Sequence, residues 1–275
     1  MKDREGVYLA PRAPTNDWDL WHKDHIDAFL NIMIQMAVIK ENVNPNKVYL
    51  MGYSAGGDGV YQLAPRTADR WAAAAMMAGH PNETTPLGLR NLPFIIQVGA
   101  LDDGYDRNKV AKKWGEELDE LQANDPKHYL HKTTLYEGLG HWMELKDAIA
   151  IPWMQEFTRQ SIPQKVVWRQ DNVLHDSFYW LGVPADQAKE KGEMVVEYDP
   201  DQNAVNILST YSRTIRLYLN DEMLDLDQPV TIKAKGEVVF EGTIPRTIKT
   251  IYETVKSKGD PNLVFSGFYE WVGND

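Results

Sequence analysis

Cysteine is absent from this chain. That excludes disulfides and every thiolate metal site, and it leaves the redox compartment open, because a protein without cysteine can work in any of them. Long apolar runs are absent as well; no stretch approaches the ~20 residues of a membrane span. Positive charge is scarce. The formal net charge is −11, and acidic residues outnumber basic ones on both sides of residue 160. Neither half offers a basic patch, which argues against nucleic acid and anionic membrane surfaces as partners. The first residues, Met1-Lys-Asp-Arg-Glu5, are polar and lack the apolar core of a signal peptide. Internal repeats and low-complexity tracts are missing too.

What remains is a chain of 275 residues, enough for one large or two modest domains. Its 43% hydrophobic and 25% charged residues are ordinary for a globular protein. Nine tryptophans and 13 tyrosines are many; such density suits a sugar- or aryl-binding cleft and equally suits core packing.

The first 160 residues alternate strand and helix signals. Gly6-Val-Tyr-Leu-Ala10 reads as a short strand, followed by a polar, aromatic loop through Trp18 and Trp21. Helical spacing of apolar residues runs from His25 to Lys40. Further strands are expected at Val48–Met51, Trp71–Ala78, Phe94–Val98 and Lys132–Tyr136. Helices are expected at about 55–63, 108–122 and 144–159, the last kinked or broken at Pro152. Apolar strands alternating with helices mean a parallel sheet covered on both faces, with its chemistry beyond the C-terminal strand ends. Ser54, His80, Asp102 and His141 all fall just past such an end. After Ser161-Ile-Pro163 the pattern changes to short alternating runs: 165–169, 177–181, 194–198, 204–208, 214–219, 230–233 and 237–240, separated by Gly, Pro, Asp and Asn clusters. Their spacing suggests an all-β sandwich.

The most informative stretch is Gly52-Tyr53-Ser54-Ala55-Gly56, between an apolar strand and a helix-compatible segment. A nucleophile elbow needs that context. The turn is so tight that its central residue is strained, and Gly52 and Gly56 are expected to remove the clashes of bulkier neighbours. Ser54 would then present its hydroxyl at a helix N-terminus, where developing negative charge is favoured. A serine hydroxyl becomes a nucleophile only when an imidazole takes its proton, and that imidazole needs a carboxylate to hold its tautomer. Where the serine stands on a strand-to-helix elbow of this kind, the groups follow in the chain order Ser, acid, His. Gly99-Ala-Leu-Asp102 supplies a carboxylate just past a strand. Gly138-Leu-Gly-His141 supplies a glycine-flanked histidine past the last strand. Asp103 and Asp106 compete with Asp102, although neighbouring loop aspartates are usually solvated or cap helices.

Around these, Tyr53, His80, Trp18 and Trp142 are candidate substrate-binding residues. Asp58, one helical turn after Ser54, reads as a structural hydrogen-bonder. His22 and His25 lack a third ligand and the spacing of a zinc motif, so they read as a surface pair and not as a metal site. The N–H of Ala55 is one expected oxyanion-hole donor. The loop that supplies the second has no counterpart before Ser54.

With Ala10-Pro-Arg12, Gly52-Tyr-Ser-Ala-Gly-Gly-Asp58, Ala78-Gly-His-Pro81, Gly99-Ala-Leu-Asp102 and Gly140-His-Trp142 in view, residues 7–160 resemble the C-terminal half of an α/β-hydrolase domain. The branch they are most similar to holds the esterases resembling polyhydroxybutyrate depolymerases, together with the prolyl-oligopeptidase-like hydrolases. The resemblance implies Ser54 as nucleophile, Asp102 as orienting acid and His141 as base. It implies neither metal nor organic cofactor, and a small-molecule or polysaccharide-linked ester as substrate. The expected architecture is α/β: an α/β-hydrolase-type, mostly parallel sheet with helices on both faces over residues 1–162, entered at about the family's fourth strand and so N-terminally incomplete. A small all-β sandwich follows over residues 163–275, resembling accessory domains of bacterial hydrolases; a secreted or periplasmic home follows from that resemblance alone. Nothing in the sequence sets the oligomeric state.

Three functions are consistent with these residues. The first is a serine esterase. The second is a serine peptidase using the same triad, for which no clamp for a peptide terminus is evident. The third is a non-catalytic binding protein in which Trp168, Phe178, Tyr179 and Trp180 form either a sugar-stacking platform or a strand core.

Overall fold

The computed structural model describes residues 6–13 and 15–273. The polar segment Met1–Glu5, the part that bears on a signal peptide, and Pro14 of the aromatic loop lie outside the described residues. The chain forms a four-stranded parallel sheet with its helices, followed by two further sheets.

The first unit runs α1 (Asp24–Glu41), β1 (Tyr49–Tyr53), α2 (Ala55–Arg66), β2 (Ala73–Met77), β3 (Phe94–Gly99), α3 (Arg107–Asn124), β4 (His131–Tyr136) and α4 (Ala150–Gln155). The sheet order is β1-β2-β3-β4, every pair parallel. Side chains alternate across a strand, and here both sides are buried. Ala74, Met76, Phe94 and Ile96 join a cluster with Val60 and Tyr61 of α2 and Trp114 of α3. Ala73, Ala75, Met77 and Ile95 join another with Ala150 and Met154 of α4. Helices therefore cover both faces, and this is why β2 and β3 read as continuous apolar runs.

Two expectations fail in this unit. Residues 6–10 form no strand, and Val7, Tyr8 and Leu9 are exposed; a short apolar run becomes a strand only with a ladder partner and a face to bury. The helix expected over 144–159 is limited to α4, preceded by a 3₁₀ turn at Lys146–Ile149. Pro152 is the third residue of α4, in the first turn, where a missing N–H costs nothing. It belongs to the start of a helix, not to a kink within one.

The second part carries β5 (Lys165–Arg169), β6 (Ser177–Phe178), β7 (Leu181–Gly182), β8 (Glu193–Asp199), β9 (Ala204–Ser209), β10 (Thr214–Leu219), β11 (Val230–Ala234), β12 (Glu237–Gly242), α5 (Ile248–Lys258) and β13 (Gly267–Val272). One sheet has the order β12-β11-β9-β8-β5, the other β13-β10-β7-β6. All pairs are antiparallel except β11 with β9. Side chains of the two sheets meet: Trp168 stacks on Phe178 at 5.8 Å, and Phe240 lies 4.6 Å from Tyr269.

Helix α5 departs from the all-β expectation. Its sequence is rich in β-branched residues, which hides it from propensity. Thr247 caps its first turn by accepting from the Thr250 N–H, and Gly259 ends it in the left-handed conformation. The run 177–181 is also not one strand. It is a hairpin, with Tyr179 at φ 52°, held from outside: Tyr179 N–H donates to Asp69 at 3.3 Å and the Trp180 indole N–H to the Pro163 carbonyl at 2.8 Å. Trp168, Phe178, Tyr179 and Trp180 are all buried. They are core, and the sugar-stacking platform is ruled out.

Buried ion pairs join the two parts of the chain. Asp69 pairs with Lys258 at 2.8 Å, Arg159 with Asp260 at 2.7 Å, and Asp27 accepts from both Arg66 and His175. Burial pushes the Asp69 carboxyl up, but Lys258 and Arg70 outweigh it and hold it below the usual value. Its contribution to stability is therefore present above the ordinary carboxylate range and fades as pH falls through the lowered folded value. Removing one partner of a buried pair strands the other charge, at a cost of about 3–5 kcal/mol. Asp69→Ala is expected to lose about that much in urea unfolding at neutral pH; a loss within the range of a surface substitution would contradict this account of the junction.

Candidate active site

The site is built at the C-terminal ends of β1, β3 and β4. Ser54 follows β1 and caps α2 with φ 56° and ψ −121°, a conformation that costs a non-glycine residue about 1–3 kcal/mol. The turn is pinned on both sides. Ser54 N–H donates to the Met77 carbonyl of β2 at 2.9 Å, and the Asp58 N–H bonds the Ser54 carbonyl at 3.0 Å. A Cβ on Gly52 would lie 2.1 Å from the Gly56 carbonyl oxygen, so that position accepts nothing larger than glycine. Gly56 differs: a Cβ there would meet nothing within 4 Å. Only one of the two expected elbow glycines is sterically required: a Cβ on Gly56 would have open space, while the Gly56 carbonyl crowds Gly52.

Asp102 follows β3 and is 3% exposed. One carboxylate oxygen meets His141 Nδ1 at 2.8 Å, and the other accepts from Arg107 at 2.9 Å. The backbone carbonyl of Asp102 accepts from Asn108 N–H at the start of α3. His141 Nε2 in turn lies 2.9 Å from Ser54 Oγ. The three residues thus form one continuous line of hydrogen bonds, with spacing suited to proton transfer. The histidine loop packs closely on β3: a Cβ on Gly99 would fall 2.0 Å from the Gly140 carbonyl oxygen.

The competing aspartates are elsewhere. Asp106 pairs with Lys109 on the exposed surface, and Asp103 is exposed. Asp58 accepts the His80 backbone N–H at 2.6 Å, tying α2 to the loop after β2, as expected of a structural hydrogen-bonder. The His80 ring is bonded to Asn82. Tyr53 does come to the site. Its hydroxyl donates to the His141 carbonyl, and its ring lies 5.8 Å from the imidazole and 6.0 Å from Trp142. Trp142 is 60% exposed beside it. Trp18 is 82% exposed, and no described hydrogen bond or ring contact joins it to Ser54, Asp102 or His141. Trp21 instead packs against Gly59 of α2. Ala55 is the first residue of α2, and its N–H is among the first-turn donors that no intrahelical carbonyl satisfies.

One residue at the site escaped the sequence reading. Arg107 holds the far oxygen of Asp102; its signal is weak, a basic residue where a helix follows the acid loop. Tyr53 was expected beside the site, but the bond from its hydroxyl to the His141 backbone carries no sequence signal. Among the described residues no group of three or more His, Asp or Glu side chains is arranged to hold a metal ion, and no helix is long and apolar enough to cross a membrane.

A parallel sheet with helices on both faces, a strained serine between strand and helix, and an acid and a histidine on later strand-end loops define an α/β-hydrolase-type fold. The sequence matches no protein-family model, and no curated protein matches it. Several solved structures are similar in part. A thermostable esterase is 19% identical with a TM-score of 0.42, over 50% of this chain and 38% of that one. YahD, solved with malic acid, is 16% identical with a TM-score of 0.37, over 51% and 65%. SOBER1 of Arabidopsis thaliana is 18% identical with a TM-score of 0.33, over 49% and 65%. The chain spans less than two thirds of the length of each of these three.

Proposed function

We propose that this protein is a serine hydrolase that cleaves carboxylic esters. The observation that carries the reading is the unbroken hydrogen-bonded line Asp102–His141–Ser54, with the serine on a strained elbow at a helix N-terminus. In the proposed reaction Ser54 Oγ attacks the ester carbonyl carbon while His141 Nε2 accepts its proton. Asp102 holds Nδ1–H and stabilises the imidazolium. The carbonyl oxygen, now negative, is met by the Ala55 N–H and the positive end of α2. Collapse breaks the bond to the alcohol oxygen, which leaves with the proton from His141. Water then repeats the sequence on the acyl-enzyme and releases the acid. Each step draws on the three side chains, the Ala55 N–H and water. Tyr53 and Trp142 form an aromatic wall beside His141, suited to the acyl or alcohol part of a small-molecule or polysaccharide-linked ester.

The test compares short p-nitrophenyl esters with Xaa–Pro and dipeptidyl p-nitroanilides. Ester cleavage in clear preference supports the reading, a preference for anilides reassigns the chain as a peptidase, and cleavage of neither removes the proposal. A substitution away from the triad probes the same geometry. Gly99→Ala forces the loop that carries His141 off β3, and a displacement of about 1 Å costs on the order of 10²-fold in rate. The variant is expected to keep its fold by circular dichroism and lose that factor in kcat for p-nitrophenyl acetate. Wild-type kcat in a folded variant would contradict the proposed role of this loop contact.

A further inference from the structure

One cavity among the described residues does not touch the triad. It encloses about 270 Å³ at the junction of the two parts of the chain, lined by His22, Gln62, Arg66, Thr85, Asp171 and Asn172 among others. Arg66 is the last residue of α2, and at ~1.5 Å per residue it lies about 18 Å along the helix from Ser54. His22, read from the sequence as half of a surface pair, belongs to this cavity.

Its walls hold a concentration of incomplete hydrogen bonding. Arg66 Nη1, His22 Nδ1, Thr85 Oγ1 and Asp171 Oδ2 are all buried, and none has a hydrogen-bond partner within the protein. Buried polar atoms normally find a partner in the protein, in ordered water or in a ligand, and four residues with such atoms line this one cavity. The Arg66 side chain is 1% exposed. Its Nε and Nη2 are spent on Asp27 and on the His22 carbonyl, which fixes the guanidinium and leaves Nη1 without a hydrogen bond at the cavity wall. Asp171 is likewise half committed: Oδ1 accepts from Asn172 N–H at 2.6 Å. The gap from Arg66 Nη1 to Asp171 Oδ2 is 4.0 Å, too long for a hydrogen bond.

The donor and acceptor inventory defines what would complete the site. Arg66 Nη1 only donates and Asp171 Oδ2 only accepts. A group that joins both must accept from one and donate to the other, which is what a hydroxyl does. An anion does not fit. It would face the Asp171, Glu83 and Glu190 carboxylates that line the same cavity, and each lining cation already has a carboxylate: Arg66 with Asp27, Arg169 with Glu193, Lys191 with Glu190. Burial holds the His22 pKa down, so the imidazole adds no positive charge at neutral pH. Thr85 Oγ1 and the Gln62 and Asn172 amides extend the same hydroxyl-matching chemistry. The volume is just below the ~300–1,000 Å³ of sites for drug-sized ligands and suits one sugar ring.

We infer that this cavity is a binding site for a neutral, polyhydroxylated ligand, a sugar residue, separate from the triad and independent of the chemistry at Ser54. The test is saturation-transfer NMR and calorimetry on the full 275-residue chain with glucose, xylose, galactose and their β-linked disaccharides, with sodium acetate and inorganic phosphate as anionic comparisons. The expected result is saturable saccharide binding in the millimolar range or tighter, retained in Ser54→Ala. Binding should weaken about tenfold or more in Asp171→Ala, which loses a charged acceptor, and measurably in Thr85→Val. Thermal melting verifies the fold; should Asp171→Ala fail to fold, Thr85→Val and Asn172→Ala carry the test. No saccharide binding, binding unchanged in the folded variants, or preferential binding of acetate or phosphate would each overturn the inference.

Discussion

Replacing Ser54 by alanine is expected to abolish covalent labelling by a fluorophosphonate and to lower ester turnover by on the order of 10⁴–10⁶ in kcat. The reagent reports an activated serine. It forms a bond only where an alkoxide can develop and a general base takes the proton, so an ordinary surface serine stays unmodified. Among the described residues only Ser54 combines a positive φ, a helix N-terminus and an imidazole at 2.9 Å. Mass mapping should place the label on the peptide containing Ser54. It should vanish in His141→Ala, whose hydroxyl stays in place but has no base. The alanine at 54 removes one oxygen and keeps the backbone, and the hydroxyl makes no capping bond to α2, so urea unfolding should show stability within about 1 kcal/mol of wild type. Full retained turnover in a folded Ser54→Ala protein would end the serine-hydrolase proposal. Labelling at another serine would move the nucleophile and leave the elbow as a turn.

How much of this was legible in the sequence depends on the range over which each feature is determined. The parallel core was readable because β2 and β3 are apolar on both faces, and the structure buries both. The positions of Ser54, Asp102 and His141 were readable because each follows a strand, and strand ends on one edge of a sheet converge whatever the intervening sequence. Features set by distant partners were not. The hairpin inside 177–182 depends on Asp69 and Pro163, neither of which is near in sequence. Helix α5 depends on a threonine cap and a glycine stop that outweigh its β-branched residues. The strand expected at residues 6–10 had the right composition but pairs with no strand among the described residues. The role of Gly56 was misassigned because the motif marks a tight turn without saying which atoms crowd: the Gly56 carbonyl restricts Gly52, not the reverse. His22 read as a surface residue because the wall that encloses it comes from residues 169–172, about 150 positions later in the chain.

Asp102→Asn is the sharper of the two large effects, because it changes almost no volume and tests a tautomer. The carboxylate oxygen at 2.8 Å from Nδ1 only accepts, so His141 must carry its proton on Nδ1 and leave Nε2 free to take one from Ser54. An asparagine brings a choice of two faces, and Arg107 decides between them. Its guanidinium, 2.9 Å from the other oxygen, only donates, so the amide oxygen turns to Arg107 and the NH₂ faces the imidazole. Nδ1 is then obliged to accept, the proton moves to Nε2, and the base at Ser54 becomes a donor. The expected outcome is a fall of about 10⁴ in kcat near neutral pH with the structure retained, and fluorophosphonate labelling slowed by a similar factor. The lost charge pair with Arg107 should cost about 1–3 kcal/mol in unfolding free energy, well short of denaturing the protein. Asp103→Asn and Asp106→Asn, on exposed carboxylates away from the imidazole, should stay within about twofold of wild type, as surface substitutions do. A further variant isolates the argument: Arg107→Ala in the Asp102→Asn background frees the amide to turn over and present its oxygen to Nδ1, so part of the lost rate should return. If the double variant is no faster than Asp102→Asn alone, the inverted tautomer is not the cause of the loss, and the negative charge of Asp102 beside the imidazolium is what the reaction needs.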